Sequence, residues 1–187
     1  ITGSAGFIGF HLAKELLKKN YQVFGLDNFN NYYSPKLKKD RINILKKHKN
    51  FYFKLLDLKK YKKSFQIISQ IKPDIIYHLA SQPGIMYSFQ NPKTYKKNNI
   101  DVTMNLIRIS KKILPKKFYF TSSSSVYGNQ KKYPLKESAK LLPINFYAKT
   151  KKKCEDLLQM NFKNCAIDLK IFRPFTVYGP FARPDML

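Results

Sequence analysis

The sequence predicts an α/β protein built on a doubly wound parallel sheet, and three observations carry that expectation. Short apolar segments alternate with longer amphipathic ones along the whole chain. Most of the short segments are apolar almost without interruption, as strands covered on both faces must be. The chain also opens on "ITGSAGFIGFHLAKELL" (residues 1–17), where Gly3, Gly6 and Gly9 stand three apart at the start of an amphipathic stretch.

Such a glycine run belongs between a strand and a helix. Ile1 and Thr2 therefore read as the last residues of a first strand, and the sequence is expected to be a piece clipped at its front. Residues 7–19 follow as a helix with Ile8, Leu12 and Leu16 on one stripe and Ala13 and Leu17 beside them. "YQVFGLD" (21–27) is an apolar strand, and a tyrosine-rich loop leads from it to a lysine-rich helix over 35–47. "FYFKLLD" (51–57) is the next strand, "YKKSFQIISQI" (61–71) a helix and "DIIYHLA" (74–80) a third strand. A loop with Pro83 and Gly84 precedes a long helix over 92–113. "KFYFTSS" (117–123) is a fourth strand, a proline-containing loop runs to Pro143, and 146–162 form another helix. "IDLKIFR" (167–173) closes the series as a strand. Lysine doublets such as Lys59-Lys60 read as solvated helix faces.

A chain of 187 residues suits one domain, and 43% hydrophobic with 15% aromatic residues excludes disorder. No apolar run approaches the ~20 residues that span a bilayer, and no signal peptide is visible, so no membrane association is expected. A leader could have gone with the clipped front. Cys154 and Cys165 lack metal-ligand company and the density of a disulfide framework. They read as free thiols of a reducing, cytoplasmic compartment, with no metal site. The net charge of +25 admits nucleic acid as a partner. Yet only four of the 36 basic residues are arginines, whose planar fork suits base readout, and the lysines are spread along the chain. A lysine-coated soluble enzyme is the better expectation, with no nucleic-acid partner.

Two constellations point to chemistry. The glycine turn lets the backbone approach a pyrophosphate resting on a helix N-terminus, with Gly9 allowing the helix to pack closely. Asp27, 18 residues after Gly9, stands where an acid accepts hydrogen bonds from an adenosine ribose. An acid there repels a 2′-phosphate, which favours NAD over NADP. Asp57 either holds the adenine amino group or caps its own loop. The second constellation is "TSSSSVYG" (121–128) with "YAKTK" (147–151). Tyr147 and Lys151, four apart on a helix, share one face. A phenol of pKa about 10 is a poor base at neutral pH. A neighbouring ammonium and an oxidised nicotinamide favour the phenolate. Tyr147 could then take a proton from a substrate hydroxyl as hydride leaves carbon, with Ser123 steadying that hydroxyl.

Together these residues resemble the extended short-chain dehydrogenase/reductase family, over nearly the whole chain. The resemblance sharpens at "DNFNNYYSPKLKKDR" (27–41), "SSSSVYG", "YAKTKK" and "RPFTVYGPFARPDM" (173–186), which look like stretches of bacterial UDP-glucuronate 4-epimerases. It implies a Rossmann NAD-binding domain over 1–173 and the start of a substrate-binding region at 174–187, most of that region being absent. It also implies tightly held NAD, a UDP-sugar substrate and a homodimer built on the two long helices. By motif position it assigns Ser123, Tyr147 and Lys151 to catalysis. Around the dinucleotide it places Gly3, Gly6, Phe7, Ile8, Gly9, Asp27, Asn28, Asp57, Leu58, Leu79, Ala80, Ser81, Asn99 and Pro174, with Tyr147 and Lys151. Ser124, Ser125, Thr176 and Arg183 fall near the sugar, Arg183 on its carboxylate.

Within this family, sugar 4,6-dehydratases carry an Asp-Glu pair after the catalytic hydroxyl residue, and UDP-glucuronate decarboxylases tend to carry a glutamate there. This chain has Ser124 and Ser125, which have no acid-base capacity at neutral pH. The resemblance thus implies a UDP-glucuronate 4-epimerase working through a 4-keto sugar and supplying galacturonate for surface polysaccharide. Two departures stand against the family pattern. Met86, in "GIMYS" (84–88), replaces a usual arginine, and Val102 a common glycine. Met86 keeps open a neutral UDP-hexose or UDP-N-acetylhexosamine as substrate. A non-catalytic nucleotide- or RNA-binding protein is the rival from another class.

Overall fold

The computed structural model describes residues 1–184. Among them the strands are β1 (Val23–Asp27), β2 (Phe51–Leu55), β3 (Ile75–His78), β4 (Lys117–Thr121) and β5 (Asp168–Phe172). All neighbours are parallel, β1 with β2 and β4 with both β3 and β5. Thr2 joins the two groups by bridging Leu26 and His78. Its N–H donates to the Tyr77 carbonyl (2.9 Å), its carbonyl accepts from Leu79 (3.2 Å), and Leu26 N–H donates to Ile1 (2.9 Å). The order is therefore β2, β1, Thr2, β3, β4, β5. Ile1 and Thr2 occupy the central position expected of a first strand's end.

The helices are α1 (Phe7–Lys18), α2 (Pro35–Leu45), α3 (Tyr61–Ile71), α4 (Ile85–Gln90), α5 (Pro92–Tyr95), α6 (Val102–Ile113) and α7 (Phe146–Phe162). Val23 and Leu26, three apart on β1 and so on opposite faces, join different apolar clusters. One cluster gathers Phe10, Ala13 and Leu17 of α1 with Ile42 and Leu45 of α2. The other gathers Ile68 of α3, Leu106 of α6 and Leu158 of α7 against Ile76, Phe118 and Phe120. The central strands are thus covered on both faces, which is why they needed no polar alternation, whereas the edge strands β2 and β5 are largely exposed.

Four expectations are corrected. The stripe of α1 is rotated: its buried residues are Phe7, Gly9, Phe10, Ala13 and Leu17, while Ile8 is 37% exposed. The small Gly9 and Ala13 let that side of the helix approach the sheet, and Ile8 is turned outward. The long helix over 92–113 is real but interrupted, with a π-helical turn at Lys96–Asp101 between α5 and α6. Two short elements form where the sequence predicts loop: α4, and a 3₁₀ turn at Ser124–Tyr127. β1 ends at Asp27 as read, while β2 to β5 end one or two residues earlier than read from hydrophobicity, since the residues after them turn away towards the cleft described below.

A buried histidine gives the fold an acid sensitivity. His78 lies between Thr2 and Thr103, with Nδ1 2.9 Å and Nε2 3.0 Å from their hydroxyls. Burial, reinforced by the charge of Lys151, holds its pKa at about 3, against 6.5. A depressed pKa means that the unfolded chain binds the proton first, so this contribution is present above pH 6.5 and lost as pH falls towards 3. The expected loss is roughly 1.4 kcal/mol per pH unit within that window. Denaturant titrations of parent and His78→Asn should show the slope in the parent and a flatter dependence in the variant.

Candidate active site

The glycine turn forms because the chain reverses from Thr2 into α1 within four residues. Gly3 sits at φ +73°, and Gly6 N–H donates to the Gly3 carbonyl (3.0 Å). A Cβ on Gly9 would lie 2.1 Å from the Gly3 oxygen, so helix and turn are in backbone contact there. No side chain caps α1. The first N–H groups of a helix have no intrahelical partners, and Gly6, Phe7 and Ile8 border the cleft at this point.

That cleft, about 740 Å³, runs along the C-terminal ends of the strands. Asp27, Asn28, Asp57, Leu58, Leu79, Ala80 and Ser81 line it at the ends of β1, β2 and β3. Gly3 and Gly9 complete the glycine wall, while Ser123, Ser124, Ser125, Tyr147, Lys151, Pro174, Thr176 and Arg183 form the opposite side. Asn99 is the exception among the expected residues. Its carboxamide is buried beneath the cleft, accepting from Gln82 N–H (2.7 Å) and donating to Thr150 Oγ1 (3.1 Å), while its neighbour Asn98 borders the cleft. Both asparagines lie in the π-helical turn, and adjacent helical residues point in different directions. Residues 185 and 186, which end the stretch beginning at Arg173, lie outside the described residues.

Asp27 accepts from Ala5 N–H (3.1 Å) and Phe29 N–H (2.9 Å), which ties the end of β1 to the glycine turn. Burial raises its pKa, with those bonds and Lys38 acting in the other direction. Asp57 does cap its loop, accepting from Lys59 N–H (3.0 Å), and it borders the cleft as well. The two readings of this residue are compatible.

Tyr147 and Lys151 are set by the start of α7. Asn145 caps that helix by accepting from Ala148 N–H (2.8 Å), and Tyr147 N–H donates to Ser88 Oγ (3.3 Å). Lys151, 3% exposed, donates to the Thr121 carbonyl (2.8 Å) at the end of β4. Burial lowers its pKa to about 8, against the opposing influence of Cys154 and Glu155. The Tyr147 phenol differs from the expectation. Burial raises its pKa, and the influences that lower it are the Ser123 hydroxyl and Arg183, with Lys151 engaged at Thr121 instead. Ser123 Oγ in turn accepts from Ser125 N–H (3.2 Å), which opens the 3₁₀ turn.

Sequence reasoning missed part of the lining. Tyr32, Tyr33 and Lys38 border the cleft beside Asp27. Lys38 belongs to the lysine-rich helix expected over 35–47, yet it is buried and donates to Asn30 Oδ1 (2.5 Å). Arg41, fully buried, donates to Ala5 O (2.8 Å), Tyr33 Oη (2.6 Å) and Phe181 O (2.7 Å), linking the glycine turn to the last segment. Scarcity was the available signal: in a chain that uses lysine for solvation, each arginine asks for a planar partner. Met86, 77% exposed, also borders the cleft. Among the described residues no cluster of three or more His, Cys, Asp or Glu could hold a metal, and no helix is long and apolar enough to cross a membrane.

Comparison with known proteins adds the following. A family model described as GDP-mannose 4,6 dehydratase matches residues 1–186. A probable UDP-glucuronate 4-epimerase of Rhizobium meliloti is 38% identical over 187 residues, all of this chain and 55% of that protein. The structure of UDP-glucuronic acid 4-epimerase from Bacillus cereus, in complex with UDP-glucuronic acid and NAD, superposes with a TM-score of 0.88 at 39% identity. It is matched over 98% of this chain and 58% of its own. A UDP-Glc/GlcNAc 4-epimerase from Campylobacter jejuni gives a TM-score of 0.85 at 31% identity, over 92% of this chain and 51% of its own. The chain thus spans little more than half the length of these relatives.

Proposed function

Because the chain belongs to the GDP-mannose 4,6 dehydratase family, within the extended short-chain dehydrogenases/reductases, we propose that the full-length protein is an NAD-dependent UDP-sugar 4-epimerase acting on UDP-glucuronate. The observation that carries this reading is the placement of Ser123, Tyr147 and Lys151 in one cleft with the glycine turn and Asp27. The turn fits a dinucleotide, since its glycines leave bare backbone where any Cβ at Gly9 would collide. Gly3, Gly6 and Gly9 would hold the pyrophosphate, Asp27 the ribose and Asp57 the adenine end. When bound, NAD supplies the acceptor, and later the donor, of a hydride.

The remaining work falls to side chains. Tyr147 takes the proton of the sugar 4-hydroxyl as C4 is oxidised and returns it after the keto sugar has turned over. Ser123 holds that oxygen, and Lys151 keeps positive charge beside the site. Water elimination would need a carboxyl group near the sugar. Among the described residues the carboxylates lining the cleft are Asp27 and Asp57, both on the glycine side, while Ser124 and Ser125 follow Ser123. This favours epimerisation over dehydration. The relatives named for UDP-glucuronate favour that sugar. Homodimerisation through the two long helices belongs to the same reading, and sedimentation of the full-length protein checks it.

Product analysis with UDP-glucuronate, UDP-glucose and UDP-N-acetylglucosamine in parallel is the direct test. UDP-galacturonate from the first supports the proposal. Conversion of a neutral sugar alone, as the uncharged Met86 would permit, overturns the glucuronate assignment while leaving epimerisation intact. No conversion of any sugar overturns both.

Two further outcomes are expected. The Lys151 ammonium loses its proton near pH 8. The pH–rate profile should therefore fall on its alkaline side close to that value, and a profile flat to pH 10 counts against the role of Lys151. The 4-keto form of a glucuronate is a β-keto acid prone to losing carbon dioxide. Arg183 borders the cleft and acts on Tyr147, which supports a role for its charge at the sugar carboxylate. Arg183→Ala should release more carbon dioxide per turnover than the parent, and an equal yield would remove Arg183 from that task.

A further inference from the structure

A buried carboxylate outside the assigned catalytic set meets the same strand end. Tyr147, Lys151 and Glu155 recur every four residues along one face of α7, and they engage three consecutive residues. Tyr147 meets the Ser123 hydroxyl, Lys151 donates to the Thr121 carbonyl, and Glu155 accepts from Ser122 Oγ. Glu155 is 1% exposed, and its other partner is Arg173, whose Nη2 donates to Oε2 at 2.7 Å and whose Nε lies 3.1 and 3.2 Å from the two oxygens.

Arg173 is fixed as well. It donates to the Glu137 carbonyl (3.0 Å) and lies over the Tyr127 ring (5.2 Å). The residues flanking it hold the residues flanking Ser123. Ser122 N–H donates to Phe172 O (2.7 Å), and Ser124 N–H donates to Pro174 O (3.0 Å). Ser123 is therefore held between two backbone rungs, and the Glu155–Arg173 pair locks those rungs to the helix that carries Tyr147 and Lys151.

Building on the reaction proposed above, we propose that Glu155 is a positioning residue of the site. Through Ser122 and Arg173 it sets where Ser123 stands relative to Tyr147, and its charge sustains the Lys151 ammonium one helical turn away. A purely structural explanation is weak, because buried ion pairs can often be replaced by apolar residues without loss of stability. The groups that act on Lys151 are Cys154 and Glu155 on α7, and its charge acts on His78 of β3; Tyr147 lines the same cleft, Arg173 pairs with Glu155, and Tyr127 accepts from Arg173. Of these, Glu155 is the fully buried carboxylate.

The test uses the full-length protein with two variants. Glu155→Gln keeps the shape and removes the charge. Glu155→Leu combined with Arg173→Met removes the whole pair without leaving a buried charge, so that folding is preserved if the single variant fails. Both should lower kcat for epimerisation roughly 10–100-fold with little change in KM, the cost of a slightly misplaced catalytic group. The double variant should keep its Tm. In Glu155→Gln the Lys151 signal, identified in lysine-labelled protein by its loss in Lys151→Met, should titrate at lower pH than in the parent. Full kcat in the double variant, or an unshifted Lys151 titration, overturns the proposal. That titration needs no turnover, so an inactive parent would sink the epimerase assignment while the role of Glu155 was still being tested.

Discussion

Tyr147→Phe is expected to lower epimerisation by roughly 10²–10⁴-fold, the range attributable to one general acid-base group, while leaving NAD affinity and Tm unchanged. The variant removes one oxygen. The ring keeps its edge contact with Tyr95 (6.1 Å between centroids), and the Tyr147 N–H keeps its bond to Ser88, so packing of the first turn of α7 is preserved. What is lost is the hydroxyl that shares the cleft with Ser123, Arg183 and Lys151. Turnover of UDP-glucuronate and dinucleotide binding by calorimetry should be measured on the same preparation. Undiminished turnover would remove Tyr147 from the chemistry, and with it the epimerase reading. Lost binding together with lost turnover would make the residue structural.

Gly9→Ala should have the largest effect on the cofactor. The added methyl would lie 2.1 Å from the Gly3 oxygen and 2.9 Å from its carbonyl carbon, so backbone must move rather than a flexible side chain. Overpacking of this kind costs about 1–3 kcal/mol. For a chain of this size that corresponds to a Tm lower by about 2–4 °C per kcal/mol. The displacement falls on Gly3 and Ser4, which form the floor of the turn, so NAD affinity should drop by more than stability predicts. Calorimetric titration and thermal unfolding separate the two effects. Retained affinity with a normal Tm would show that α1 can withdraw from the turn, and would weaken the assignment of this turn to the pyrophosphate.

Much of this was legible in the chain. The bounds of α3 and α7 coincide with the hydrophobic period, since both helices present an apolar face and both are flanked by polar residues, Lys60 and Lys72 for α3 and Asn145 and Lys163 for α7. The parallel sheet followed from strands such as "DIIYHLA", which lack alternation because both faces are covered. The cleft residues at strand ends were legible too, because a parallel sheet brings all its C-terminal edges together. Other features were not. The rotation of α1 was hidden because Ile8, Leu12 and Leu16 have the same period as the face that is buried, and periodicity fixes a stripe only up to its neighbours. That Asn98, and not Asn99, borders the cleft was not legible, because a π-helical turn leaves no hydrophobic signature.

The sequence by itself determined the order of elements, the parallel pairing, the glycine turn, the strand ends from which Asp27 and Ser123 enter the cleft, and the helical spacing that puts Tyr147 and Lys151 on one face of α7, all consequences of period, apolar content and backbone freedom encoded locally. Only the tertiary structure decided which polar groups are buried and with whom: Glu155 with Arg173 and Ser122, His78 with Thr2 and Thr103, Arg41 with Ala5 and Phe181. The physical reason is that desolvation and ion pairing depend on distances between residues far apart in the chain. A lysine or glutamate that looks solvated in sequence acquires its energetics, and its chemical role, from the partner that folding brings to it.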